Sequence, residues 1–570
     1  MNPKKELSME VRLLLAFLLM GAVLMVSQFL LPQPPPPPGA GAAAKPEVAA
    51  GANPPAAPPQ PAPAPAKKAE KPGAPPEAAV AVVKAESEEE VVLANGVIRA
   101  VFSNRGGVLR SVTLVKFKDG HGQPLNVIDP KAAEKVGWPL SLYFKNRSVP
   151  ADPNQALYLA RVSEDKLGVE FEYADARILV KKSFRLRPES YLAEVSSSVA
   201  VDGVPAPHAL AWRGGFGDRT VFNPVAAQHT VHYNTSDNKL TVHEAKEAKD
   251  GPISHSGTFS FAGLEDQYFA AVLLPEGNGQ IEMTTFADKL PAPPDGKEEA
   301  IIGAAISGGA ENRFEFFIGP KDSDLLRTVH PKLSQLIDWG WFGILAKPLF
   351  VALNYTNDKI TKNYGWAIVF VTVVLNLLLL PLKFSSLKSA KKMQRIQPEL
   401  KKIQDRYASL PLKDPRRADM NAEMMDLYKK HGVNPLGGCL PLLIQMPFLF
   451  AFYKVLTVAI EMRGASWLWV SDLSQPETLP IRVLPLIMLV TQFILQKMTP
   501  TTGMDPAQAR IMLIMPLFLG FMFYYQSAGL VLYWLTGNVI GIAQQWFTNR
   551  MGPPAPVTAA TAPAAKTSRK

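Results

Sequence analysis

The stretch Ile511–Asn549, IMLIMPLFLGFMFYYQSAGLVLYWLTGNVIGIAQQWFTN, runs for 39 residues without a formal charge. At about 1.5 Å of rise per residue, one helix of that length would measure roughly twice the hydrocarbon core of a bilayer. The stretch must therefore fold back, and Gln526-Ser527-Ala528-Gly529 is the natural hinge between two spans. Upstream lie three more uncharged runs: Val483–Gln496 with fourteen residues, Pro435–Tyr453 with nineteen and Gly365–Leu382 with eighteen. Near the start, Leu13–Leu31 is uncharged over nineteen residues behind Lys4 and Lys5. It exceeds the ~7–15 apolar residues of a cleaved signal peptide. Pro32 and Pro34–Pro38 follow it and suit a protease site badly, so it reads as an uncleaved anchor. The reading is a polytopic α-helical membrane protein of six spans.

Charge placement orients those spans. The loop Lys383–Asn434 carries thirteen Lys and Arg against six acids, whereas the next loop has Arg463 and Arg482 against Glu461, Asp472 and Glu477. Lys566, Arg569 and Lys570 end the chain without an acid. By the positive-inside rule both termini and the basic loop are cytoplasmic, and the region between spans one and two lies outside, in a periplasm-like space.

That region has its own pattern. Pro32 to about Ala79 is almost all Pro and Ala, a spacer that cannot bury a core. From about Val91 to Pro320 short β-rich runs alternate with turn signals: Val97–Phe102, Val169–Tyr173, Ile178–Phe184, Tyr191–Val199, Tyr268–Leu274 and Arg313–Ile318. They predict an external all-β sandwich. Leu326, Val329, Leu333 and Leu336/Ile337 then recur at helical spacing, and with Trp339, Trp341 and Phe342 they suggest a helix lying in the membrane interface, or else one packed on the sandwich. The expected plan is an anchor over 1–31, a linker over 32–90, the sandwich over 91–322, an interfacial region over 323–362, a five-span core over 363–550 and a basic tail over 551–570.

Within the basic loop, Met393, Ile396, Leu400, Ile403, Tyr407 and Leu410 follow a 3,4 rhythm, and Met420, Met424, Leu427 and His431 continue it. Pro411 and Pro415 lie between, so a cytoplasmic helical hairpin is expected over 384–432, with Pro398 kinking its first helix. Met393, Met420, Met424 and Met425 offer an adaptable docking face, although packing within the hairpin explains them equally.

The single cysteine, Cys439, excludes a disulfide framework and Cys-based metal sites. No Walker A, GxSxG, HExxH or GxGxxG pattern occurs, so nothing supplies nucleotide-driven or covalent chemistry, and no enzyme activity or cofactor is expected. His229 and His232 form an HxxH with His243 nearby, a weak pattern for metal, and no metal site is assigned. The spans themselves carry polar groups: Thr372 and Asn376 one turn apart, Gln445, Gln492, Gln496, Tyr524, Tyr525, Asn538 and Gln544. Such groups face a partner helix or a watered cavity. Gly537 and Gly541 form a GxxxG pair suited to close packing.

The segments Asn434–Pro447 (NPLGGCLPLLIQMP), Gln496–Thr502 (QKMTPTT), Asp505–Gln508 (DPAQ) and Ser527–Trp534 (SAGLVLYW) resemble the YidC/Oxa/Alb family of membrane protein insertases. The anchor, tether and external β domain are similar to its Gram-negative layout. The resemblance implies a five-helix core around a hydrophilic groove that inserts and folds nascent membrane proteins, alone or with the Sec translocon and its accessory subunits. It implies client contacts at Thr372, Met446, Pro447, Tyr533 and Trp534, with Asn376, Gln445 and Gln492 also in the groove. The ribosome, through the cytoplasmic loops and tail, and the phospholipid bilayer are the other expected partners. One departure stands out: the family places an arginine five residues before the proline matching Pro381, where this sequence has Asn376 and no other Lys or Arg deep in a span. Two other functions fit parts of the chain. A solute transporter would show internal repeats, and none is evident; a membrane-anchored carbohydrate-binding sandwich would need one span rather than six.

Overall fold

A computed structural model of the 570-residue chain describes residues 82–550 except 146–148, 222–226, 278–279, 293–296, 408–409, 411–413, 433–439 and 499–505. The expected N-terminal span, most of the Pro/Ala linker, the basic tail, Asn434–Cys439 and Thr499–Asp505 lie outside the described residues. The chain divides into two compact bodies; Ile403–Met425 is the described part of one, and residues of 82–402 and 426–550 make the other.

The β region forms because its sequence alternates. Ile178–Leu186 buries every second side chain and exposes or half-exposes the others, as a strand with one face on a core must. Each of the six sequence-predicted runs corresponds to a strand: Ile98–Ser103, Gly168–Ala174, Ile178–Leu186, Leu192–Val201, Phe269–Pro275 and Glu311–Pro320. A four-stranded antiparallel sheet runs in sequence order from Glu90–Ala94 to Pro124–Asn126. The larger sheet has fourteen strands, and Ile253–Glu265 joins its two halves. The first half of that strand pairs with Gln280–Ala292, and the second half with Phe269–Pro275 and His229–Asn234. Leu93, Phe102, Phe171, Trp212, Phe261, Phe269 and Phe317 share one hydrophobic core. The long hairpin Gln280–Ala292 with Lys297–Gly309 was not apparent from the sequence, because its Ala, Gly, Glu and Lys content carries little β signal.

Short helix α1 (Pro130–Val136) begins under an N-cap from the Asp129 carboxylate. Helix α2 (Ser323–Val329) and the 3-10 turn Pro331–Leu336 follow the last strand. Leu326, Leu333, Leu336 and Ile337 join the sandwich core, so these apolar side chains of the Leu325–Gly340 stretch pack on the β domain. The exposed aromatic and aliphatic side chains come just afterwards, at Trp341 and Ile344, both about nine-tenths exposed.

Helix α3 (Gly343–Thr356) continues as a π-turn through Thr361, and Lys362 takes a left-handed conformation. The chain then bends by 115° into α4 (Tyr364–Leu378), whose N-terminus is capped by Asn363. Helix α5 (Leu380–Tyr407) carries Pro398 within it and runs on past it. Helices α6 (Arg417–His431), α7 (Leu440–Val458), α8 (Val483–Met498), α9 (Pro506–Tyr524) and α10 (Ala528–Arg550) complete the chain. The break at Gln526–Ser527 divides the long uncharged stretch where the sequence placed its hinge. Helix α10 packs against α4, α7 and α8, α9 packs against α8, and α3 packs against α4 and α7.

Among the described residues no single helix is long and apolar enough to cross a membrane; α3 with its π-turn and α4 reach that length and composition only together, as a bent pair. The helical region nonetheless leaves Val351, Leu377, Leu378, Ile481, Ile514, Leu517 and Phe521 exposed, each more than half accessible. A continuous supply of large apolar side chains at a surface marks contact with lipid or partners.

Candidate functional site

The polar side chains expected in the spans are sorted by the helices into three small groups. On α4, Thr372 and Asn376 are buried, being one turn apart and therefore on one face. Thr372 Oγ1 donates to the Ile368 carbonyl at 2.6 Å, and Asn376 Nδ2 donates to the Thr372 carbonyl at 2.8 Å. Both side chains thus bond back onto their own helix, as hydroxyl and amide groups do when water is scarce. Asn376 Oδ1 remains as an acceptor, and Lys383 Nζ donates to it at 2.5 Å. Lys383 lies seven residues further on, past Pro381, and sequence reasoning assigned it to the loop. The signal missed was reach: a long cationic side chain can extend back along a helix.

The second group joins α7 to α10. Gln445 Nε2 donates to the Tyr533 hydroxyl at 2.6 Å, and the buried Tyr533 ring stacks on Phe452 at 4.2 Å. Met446 and Pro447, beside Gln445 on α7, are half-buried. The third group joins α8 to α10. Trp534 Nε1 donates to Gln492 Oε1 at 3.0 Å, and the Trp534 ring meets Phe523 of α9 at 4.9 Å. Asn538 Nδ2 lies 3.3 Å from both the Met488 carbonyl and Thr491 Oγ1. Adjacent residues Tyr533 and Trp534 therefore hold α7 and α8 from one turn of α10. Gly541 lets α10 approach Leu495, where an added Cβ would stand 3.1 Å from its nearest methyl carbon.

One end of this bundle is covered by the segment between α7 and α8. Trp467 packs over the start of α4, where a Cβ at Gly365 would fall 2.2 Å from the indole, and it meets Trp366 edge to face at 5.6 Å. Asn363 Nδ2 donates to the Ser466 carbonyl at 2.9 Å. Ala528 and Gly529, at the start of α10, donate their amides to Gln475 and Leu473 at 2.8 and 2.9 Å. The buried Glu477 carboxylate accepts from Leu484 N at 2.8 Å and Trp469 Nε1 at 2.8 Å, capping α8 with negative charge. Three otherwise unpaired amides, at the starts of α8 and α10, are thereby satisfied by one loop.

The same segment ties the sandwich to the helices. Arg463 forms an ion pair with Asp218 and donates to the Lys118 carbonyl. Its guanidinium lies 5.5 and 5.4 Å from the Tyr268 and Phe269 rings. Asp218 belongs to the Gly214–Asp218 turn, whose purpose the sequence did not reveal. Buried Asp266 accepts from the Asp218, Tyr268 and Phe269 amides, while burial pushes its carboxyl up to about 6. Gln267 Nε2 donates to the Thr457 carbonyl at 2.8 Å, and Lys454 pairs with Asp338 at 2.7 Å.

Of the hairpin methionines, Met393, Met420 and Met424 are half-buried and Met425 is exposed. Ile396, Leu400, Ile403 and Leu427, from the same rhythm, are buried. Within Ile403–Met425, Arg406 and the Tyr407 hydroxyl both meet Glu423, at 3.1 and 2.9 Å.

In the sandwich, His232, His243 and His255 stack with ring centres 4.4–5.4 Å apart, and His232 and His243 are buried. Among the described residues no group of three or more His, Cys, Asp and Glu is placed to hold a metal ion.

Comparison with known proteins adds the following. Residues 356–554 match the family model for the 60Kd inner membrane protein, and residues 90–352 match that for the YidC periplasmic domain. A membrane protein insertase YidC from Citrifermentans bemidjiense is 34% identical over 485 residues, covering 81% of this chain and 86% of the relative. The protein of the same name from Geotalea daltonii is 34% identical over 481 residues, covering 81% and 87%. Among solved structures, a crystal structure of an active YidC insertase with its first transmembrane domain resolved matches with a TM-score of 0.36 and 19% identity, over 82% of this chain and 94% of that one. A galactose mutarotase-like protein from Lactobacillus casei matches with a TM-score of 0.29 and 10% identity, over 41% of this chain and the whole of that one.

Proposed function

Because the chain belongs to the YidC family of inner-membrane protein insertases, we propose that it inserts nascent membrane proteins along the polar track of α4, α7, α8 and α10. It is a membrane protein insertase, and insertion is a non-enzymatic activity. The observation that carries the track is the pair of contacts from consecutive residues of α10, Tyr533 to Gln445 and Trp534 to Gln492. They join hydrogen-bonding groups of α7, α8 and α10, and α10 also packs against α4, which carries Thr372 and Asn376.

In this reading a polar segment of the client exchanges water for these groups, which lowers the several-kcal/mol penalty of taking an unpartnered polar group into hydrocarbon. Burial of the following apolar span then supplies the driving force, at about 25 cal/mol per Å2 of apolar surface. Thr372, Met446, Pro447, Tyr533 and Trp534 contact the sliding segment. The Arg463–Leu484 loop closes the outer end, so the track opens toward the cytoplasm. Six spans, cytoplasmic termini and a periplasmic sandwich complete the arrangement, supported by thirteen basic residues in Lys383–Asn434. Clients arrive from the ribosome, directly or with the Sec translocon, and the cytoplasmic hairpin receives them.

The test depletes the protein and follows a small two-span client by protease accessibility of its external loop. Loss of insertion, restored by the purified chain in liposomes without nucleotide, is the expected result. Normal insertion on depletion, or a nucleotide requirement in liposomes, would overturn the reading.

A further inference from the structure

We infer that Arg482, lying across Tyr524 and Tyr525 where α8 begins and α9 ends, binds the phosphodiester of a membrane phospholipid whose acyl chain runs along the exposed face of α9. This site uses none of the track residues and is filled without a client.

Arg482 directly precedes α8, and Tyr524 is the last residue of α9, which packs against α8. Arg482 Nη1 donates to the Tyr524 carbonyl, one of the acceptors that a helix C-terminus leaves unpaired. The guanidinium carbon lies 5.0 and 5.3 Å from the Tyr524 and Tyr525 ring centres. Capping the helix occupies one of the five N–H donors of a guanidinium. Among the described residues the remaining donors meet no acceptor, and Arg482 pairs with no Asp or Glu. Glu477, the nearest upstream acid, is taken by Trp469 Nε1 and Leu484 N. A guanidinium resting on aromatic rings keeps its edge free, and that edge matches two oxygens of a phosphate.

The surroundings specify which phosphate. Ile481 and Val483 flank the arginine and are exposed, so the charge sits within an apolar rim. Ile514, Leu517, Phe518 and Phe521 are exposed at helical spacing, a single stripe of α9 that leads up to Tyr525. Phe521 meets the Tyr525 ring edge to face at 5.9 Å. From Ile514 to Tyr524 a helix rises about 15 Å, and one leaflet contributes about 15 Å of the hydrocarbon core. A cation at the head of an apolar stripe one leaflet long suits a headgroup with its acyl chain, whereas a soluble phosphate would leave the stripe uncovered. Tyr524 and Tyr525 then stand at the level where amphipathic rings meet headgroups. A lipid held there covers the seam between α8 and α9, at the end of the bundle closed by the Arg463–Leu484 loop.

The experiment is native mass spectrometry of the full chain in a nonionic detergent, titrated with dimyristoyl phosphatidylglycerol or with phosphate-free dimyristoylglycerol. One phosphatidylglycerol should bind about tenfold more tightly than those that follow it and than dimyristoylglycerol. Arg482→Gln should remove that preference, a loss of about tenfold, the size expected of one charge-assisted bidentate contact. Arg482→Lys retains the charge and a donor for the Tyr524 carbonyl, and should lose about threefold, because an ammonium meets the phosphate as a point charge. Phe521→Ser should weaken both lipids alike. A measurement on the natural chain needs no variant: in vesicles, phosphatidylglycerol carrying a diazirine on its acyl chain should label the Ile514–Phe521 stripe. Unlabelled phosphatidylglycerol should compete for that label, and dimyristoylglycerol should not. Equal first-lipid affinity for the two compounds, or an unchanged affinity in Arg482→Gln, would overturn the proposal. Displacement by millimolar inorganic phosphate would make this a free-anion site, and displacement only by a peptide of a client's apolar span would give the stripe to the client. Either result overturns the lipid assignment.

Discussion

Replacing Arg463 with alanine should loosen the sandwich from the helices by an amount that the structure lets one estimate. The guanidinium side chain is 8% exposed and the Asp218 carboxylate 1%, so solvent screening of the pair is small. Breaking a buried pair from one side costs about 3–5 kcal/mol, because the remaining charge is stranded. Two features set the value within that range. Asp218 keeps hydrogen bonds from Thr220 N and Oγ1, at 2.8 and 2.6 Å, which soften its isolation. Arg463 also gives up the Lys118 carbonyl and its position over the Tyr268 and Phe269 rings. The expected loss is therefore about 3 kcal/mol, at the lower end.

Whole-chain unfolding of such a molecule is not a two-state process, so the appropriate assay is amide hydrogen exchange at the junction. The Asp218, Phe269 and Leu473 amides are bonded within it and should report its opening. A loss of about 3 kcal/mol corresponds to roughly 150-fold faster exchange. Asp218→Asn should give a smaller effect, and the double variant Arg463→Ala with Asp218→Asn should be less harmful than the two single effects combined. Strict additivity of the two substitutions, with coupling below about 0.5 kcal/mol, would refute the claim that this pair holds the junction.

Gly217 has φ +98°, and an added Cβ would stand 1.9 Å from Asp266 Oδ2, so Gly217→Ala should destabilise the sandwich by more than about 2 kcal/mol, read as a lower thermal midpoint of the whole chain. Burial, followed by repulsion from His243 and His255, holds the His232 imidazole near 4, below its ordinary 6.5. Neutral His232 is thus favoured by folding: this contribution is fully present above pH 6.5 and is lost as pH falls toward 4, at up to about 1.4 kcal/mol per pH unit. His232→Gln should flatten the thermal midpoint between those pH values, and an unchanged slope would argue against the cluster. Tyr533→Phe keeps the stack on Phe452 but removes the acceptor of Gln445 Nε2; a loss of about 0.6 kcal/mol and reduced client insertion are expected, checked by thermal stability in detergent and the liposome assay.

The large divisions of this chain are legible in the sequence because they rest on one-dimensional properties. Thirty-nine uncharged residues cannot remain one span, and Gln526–Ser527 is where the helix breaks. Alternation in Ile178–Leu186 and its neighbours identifies strands without knowledge of their partners. The polar residues of the spans are also visible, since Thr372, Asn376, Gln445 and Gln492 stand out against an apolar background. The family motifs of α7 and α10 belong to the same category: they are ordered strings that need no folding to be recognised.

Only the tertiary structure decided which groups meet. That Gln445 finds Tyr533, and Gln492 finds Trp534, depends on the packing of α10 against α7 and α8. The glycine-rich turn ending at Asp218 becomes informative only when Arg463, 245 residues away, lies against it. The Leu326–Ile337 face was ambiguous because an apolar stripe satisfies a membrane interface and a protein core equally; the sandwich claims it. Lys383 shows the same limit most sharply. Its position in the sequence places it after the apolar run, but side-chain length and the free oxygen of Asn376 bring its charge back into the helix region. Hydropathy and spacing act along the chain, whereas the charges and hydrogen bonds that make a site depend on distances that only folding sets.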